Sequence, residues 1–78
     1  MLISNNNYQP ANITVSPGTH VVWFNVGGNH TVTSDDAVFD SGTVGRNETY
    51  GRTFNAAGTF EYHCTIHGPD MSGAITVQ

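Results

Sequence analysis

Apolar and polar residues alternate in short runs along this chain, and nowhere do they recur at the three-to-four spacing of a helix. Ile13 and Val15 alternate with Asn12 and Thr14 before Pro17-Gly18 turns the chain. His20 to Asn25 predicts a strand with Val21 and Trp23 on one face, and Gly27-Gly28 breaks it. His30-Thr31-Val32-Thr33 predicts another, with His30 and Val32 on a shared face. Ser34 to Gly45 is rich in turn residues, with Phe39 as its large apolar anchor. A weak strand follows from Glu48 to Phe54. From Thr59 to Cys64 the alternation is clear, with Phe60, Tyr62 and Cys64 opposite Glu61 and His63. Ser72 to Val77 closes the pattern. About seven short strands separated by Gly, Pro, Asn and Asp predict an all-β Greek-key β-sandwich, two antiparallel sheets packed face to face.

The 78 residues suffice for a single domain spanning the whole chain, 1–78. A chain of this size buries a modest core and gains from a staple. The lone cysteine, Cys64, rules out a disulfide within the chain, so a bound metal is the staple to expect. Net charge is −4, and the only cations are Arg46 and Arg52. Nucleic acid is excluded, because its binding needs clustered cations, and so is a polybasic membrane contact. No apolar run approaches the roughly 20 residues of a membrane span. The opening Met1-Leu2-Ile3-Ser4 has neither the charged nor the apolar region of a signal peptide, which leaves the compartment open. Asn-x-Ser/Thr triplets at Asn12, Asn29 and Asn47 are chance in a chain this rich in Asn and Thr.

The chemistry concentrates in Cys64-Thr65-Ile66-His67-Gly68-Pro69-Asp70-Met71, a loop at one end of the sandwich. Thiolate, imidazole and thioether converge there within eight residues. Thiolate and thioether favour Cu(I), and imidazole accepts copper in both oxidation states. Cys64 ends an alternating strand on its inward face, and Gly68-Pro69 turns the loop so that His67 and Met71 face one point. A second imidazole must come from elsewhere. His20 and His63 fall on outward faces, whereas His30 follows Gly27-Gly28-Asn29 on the face of Val32 and is the candidate. Singly, a buried cysteine or methionine is usually structural. A catalytic thiol is the other reading, but it needs an activated cysteine and a substrate cleft, and this chain offers little of either.

Gly18-Thr19-His20-Val21-Val22-Trp23-Phe24-Asn25, Asn29-His30-Thr31-Val32 and Gly58 to Cys64, followed by His67 and Met71, resemble the plastocyanin-type cupredoxins, above all the pseudoazurin, amicyanin and halocyanin-like members. The resemblance runs from Asn12 to Val77. It implies a cupredoxin-like fold and one copper ion per chain on His30, Cys64, His67 and Met71. It also implies one-electron transfer between redox partner proteins that dock near His67. The expected rim there is uncharged, from Val26, Gly27, Gly28, Gly68 and Pro69, with Asp35, Asp36, Asp40 and Asp70 steering a cationic partner. A monomer working outside the cytoplasm is expected, an electron carrier and not an enzyme. Copper storage or delivery, and reaction of an open copper site with a small molecule, are the alternatives. Two positions depart from the pattern. Thr31 stands where relatives carry an Asn that ties two loops, so either its hydroxyl reaches Thr65 or the tie is missing. Ile66 stands where many carry proline, and so keeps an N–H beside the sulfur.

Overall fold

The computed structural model describes residues 1–4 and 7–78, with the side chain of Pro69 left aside. Eight strands and, among the described residues, no helix make up the fold: β1 (Leu2–Ser4), β2 (Asn7–Gln9), β3 (Asn12–Val15), β4 (Thr19–Asn25), β5 (Thr33–Ser34), β6 (Thr49–Phe54), β7 (Gly58–Cys64) and β8 (Gly68–Val77). They form two four-stranded sheets, in the orders β2-β1-β4-β6 and β3-β8-β7-β5. Alternation decides which side chains enter the space between them. Val21, Trp23 and Asn25 of β4 are buried, while His20, Val22 and Phe24 between them are exposed. Tyr62 and Cys64 of β7, Ile75 and Val77 of β8, and Phe54 of β6 complete the core with Ile3, Tyr8 and Phe39. Trp23 is its hub, edge-on to Tyr62 at 5.5 Å between centroids and tilted against Tyr50 at 5.6 Å.

Two expectations need correction, and two strands went unpredicted. The sheets are mixed rather than purely antiparallel, because β1 runs parallel to β4 and β3 parallel to β8. Such pairs need a crossover, which the chain makes by passing from one sheet to the other between β2 and β3. The two N-terminal strands carry one buried apolar residue each, Ile3 and Tyr8, too few to show a period. Finally, the segment from His30 to Thr33 is not a regular strand. His30 makes an isolated bridge to Val44, and His30, Thr31 and Val32 are all buried in succession.

The end of the sandwich is shaped by one irregularity between β7 and β8. His63 pairs with Ser72, but Cys64 pairs with Gly68. Residues 69–71 are therefore looped out of the ladder, and the predicted long loop shrinks to a turn at Thr65-Ile66-His67. Gly68 supports that turn with φ of 81°, a left-handed backbone that favours glycine.

Candidate metal centre

His30, Cys64 and His67 come together at this end, with their ligand atoms all within 4.8 Å of one another. Cys64 Sγ lies 3.4 Å from His67 Nδ1 and 3.9 Å from His30 Nδ1. The imidazole centroids are 4.8 Å apart. Cys64 and His30 are fully buried, whereas His67 is exposed. Met71, in the looped-out stretch, is 2 % exposed and belongs to the same core cluster as Cys64.

Each piece of the centre is held by an identifiable partner. His30 Nε2 donates to the Gly27 carbonyl at 2.7 Å, which fixes the tautomer and leaves the Nδ1 lone pair facing the sulfur. His30 N–H donates to Val44 O at 3.1 Å, and Val44 N–H returns to His30 O at 2.7 Å. The loop tie runs through Thr31. Its Oγ1 accepts the Thr65 N–H at 2.9 Å and lies 3.2 Å from Thr65 Oγ1. The Tyr8 hydroxyl donates to the Thr31 carbonyl at 2.5 Å. Burial, and then the charge of nearby Cys64, holds the Tyr8 phenol well above its usual range. Burial also pushes Tyr62 up to about 12.

His20 and His63 stay outside the centre. His20 is exposed, with Nδ1 2.8 Å from Thr53 Oγ1, and His63 Nδ1 lies 2.6 Å from Asp35 Oδ1 on the outer face. Ile66 is 52 % exposed and sits at the rim, as does Val26 at 40 %. The Pro69 side chain, expected in that rim, lies outside the described residues.

Asn25 is the supporting residue that motif reading missed. It is fully buried, and its Nδ2 donates to Gly28 O at 2.7 Å and Val44 O at 2.9 Å, while its Oδ1 accepts the Gly27 N–H at 3.1 Å. It thus pins the turn that holds the His30 ring to the segment that pairs with the His30 backbone. Its signal was present: alternation puts a polar residue on the inward face after Val21 and Trp23.

A buried cysteine sulfur flanked by two imidazoles that both turn Nδ1 toward it is a donor set suited to copper. Comparison with known proteins agrees. A family model described as copper binding proteins, plastocyanin/azurin family, matches residues 3–78. Plastocyanin from Scenedesmus fuscus is 32% identical over 84 residues, which cover 91% of this chain and 86% of that protein. Amicyanin from Paracoccus versutus is 30% identical over 86 residues, covering 97% of this chain and 61% of its own length. Among solved structures, a purple cupredoxin from Nitrosopumilus maritimus superposes with a TM-score of 0.84 at 28% identity, covering 91% of this chain and 81% of that one. A reduced Cu(I) amicyanin variant gives 0.87 at 28% identity, covering 100% and 81%.

Proposed function

The chain belongs to the plastocyanin/azurin family of copper-binding proteins, and from that premise we propose that it is a blue-copper carrier of single electrons. Its ligands are His30, Cys64 and His67, with Met71 as the fourth donor. The observation that carries this reading is the meeting of one buried cysteine sulfur and two imidazoles within 4.8 Å. When bound, copper supplies the Cu(I)/Cu(II) one-electron couple.

The chain's own part is to hold the donors still. Gly27 O fixes the His30 ring, and Thr31 fixes the turn that carries His67. Tyr8 anchors the Thr31 backbone from β2. Rigid donors suit both oxidation states with little rearrangement, which is what fast electron exchange asks of a protein. Burial of His30, Cys64 and Met71 keeps water off the sulfur.

His67 is the edge through which electrons enter and leave, since it is the exposed member of the set. Val26, Gly27, Gly28 and Ile66 give it an uncharged surround, suited to brief docking of a redox protein. Of the four aspartates expected to steer a cationic partner, Asp35, Asp36, Asp40 and Asp70, all are exposed. The role proposed is that of an electron carrier, which the kinship with plastocyanin and amicyanin supports. The family kinship supports work outside the cytoplasm, and we read the chain as a monomer there.

Voltammetry of the copper-loaded protein tests this directly. A reversible one-electron wave that persists over repeated cycles is expected. Loss of copper on reduction, with no return wave, would instead mark a protein that stores or delivers the ion.

A further inference from the structure

The Thr31 tie does not end at Thr31. Thr33 Oγ1 lies 2.9 Å from Thr31 Oγ1 and 3.1 Å from Asp40 Oδ1. Asp40 Oδ1 also accepts the Gly42 N–H at 2.9 Å. Thr33 and Asp40 form an isolated antiparallel bridge, so their side chains are held side by side by the backbone. The four groups therefore run in line from the exposed Asp40, past half-buried Thr33 and buried Thr31, to the peptide that follows Cys64.

Proton counting decides how the line holds. A hydroxyl carries one hydrogen, and an ionised carboxylate only accepts. Thr33 Oγ1 is the donor to both Thr31 Oγ1 and Asp40 Oδ1, so its one hydrogen is shared between them and drawn toward the charged carboxylate. Thr33 thereby holds the Thr31 hydroxyl in place while that oxygen accepts the Thr65 N–H, and the more of the Thr33 hydrogen Asp40 takes, the better an acceptor Thr31 remains for the amide.

We propose that Asp40 and Thr33 are positioning residues for the metal loop, holding through the Thr31 hydroxyl the Thr65 amide that follows Cys64. The loop between β5 and β6 is thereby coupled to the centre with neither residue touching a ligand. What the anchored turn serves rests on the copper reading above, whereas the anchor belongs to the polypeptide. The two are separable, because copper binding is read by titration and the anchor by one amide.

The test is NMR on the full chain loaded with diamagnetic Cu(I), repeated without metal. Hydrogen exchange at the Thr65 amide is compared with that at Ala74, whose N–H donates to Ala11 O at 2.8 Å elsewhere in the sheet. Thr33→Val should speed Thr65 exchange about tenfold, the loss of one hydrogen bond's worth, and leave Ala74 unchanged. Asp40→Ala should act in the same direction, and Thr33→Val/Asp40→Ala should be no faster than Thr33→Val alone. Thr33→Ser, which keeps the hydroxyl, should behave as the unaltered chain. Should Thr33→Val fail to fold, Asp40→Asn still decides. It neutralises the end of the line and should move the Thr65 amide proton upfield. A Thr65 amide indifferent to Asp40→Asn would overturn the coupling. So would Thr33→Val and Asp40→Ala effects that simply add, or equal acceleration at Thr65 and Ala74.

Discussion

Replacing Gly28 with alanine perturbs the centre through a single added carbon. Gly28 has φ of 76°, so any side chain there occupies the left-handed region, at a cost of roughly 1–2 kcal/mol. The new Cβ would also stand 3.1 Å from His30 Nε2. That nitrogen donates to Gly27 O at 2.7 Å, and the ring is fully buried, so it cannot swing clear. It must shift by a few tenths of an ångström and weaken the bond that orients it, a loss of about 0.5–1.5 kcal/mol. Gly18→Ala provides the control. Its φ is 90°, and nothing lies within 4 Å of the added carbon, so only the backbone part applies. Urea unfolding of the two metal-free variants should therefore differ by about 1 kcal/mol, with Gly28→Ala the weaker. Competitive copper titration should separate them further. Disturbing a partner that orients a ligand typically lowers metal affinity about 10–100-fold, and Gly18→Ala touches no such partner. Equal stabilities and equal copper affinities for the two variants would refute the claim that the Gly27–Gly28 turn sets the His30 ring.

Two further outcomes are expected. Burial raises Tyr8 and Tyr62, the latter to about 12, while the phenols of the unfolded chain ionise near pH 10. Their contribution is complete below about pH 10 and is lost as pH rises through each folded value, at up to ~1.4 kcal/mol per pH unit for each phenol. Denaturant melts at pH 9, 10 and 11 should show that decline, and Tyr8→Phe/Tyr62→Phe should flatten it. Because only the folded chain gathers all the donors, free copper at about 100 times its dissociation constant adds ~2.7 kcal/mol, or roughly 10–20 °C in a domain of this size. Calorimetry should find that rise in the unaltered chain and little of it in Cys64→Ser.

What was legible in the sequence follows from how local each signal was. Alternation in β4 and β7 identified Trp23, Tyr62 and Cys64 as inward residues, and the structure buries all three. The same facing argument set His20 and His63 aside, and the structure keeps them out of the centre, whereas His30 reaches it from an irregular segment rather than by the strand alternation expected of it. The Thr31 hydroxyl was one of two readings for the loop tie, and the contact with Thr65 decides it. Long-range features left no such trace. The parallel pairing of β1 with β4 and of β3 with β8 depends on crossovers that carry no period. The looped-out residues 69–71 read as an ordinary loop because a register shift shows only against the partner strand. Asn25 showed only as a polar residue on an inward face, because its bond to Val44 O spans 19 residues, and Asp40 meets the Thr33 hydroxyl within a turn-rich stretch where no motif marks it.

The visible absorption spectrum of the protein titrated with Cu(II) tests the central claim most directly. An intense thiolate-to-copper band is expected, saturating at one ion per chain, abolished in Cys64→Ser, strongly altered in His30→Ala and His67→Ala, and nearly unchanged in His20→Ala and His63→Ala. A band that survives Cys64→Ser, or that His63→Ala disturbs as much as His30→Ala does, would contradict the assignment of the centre.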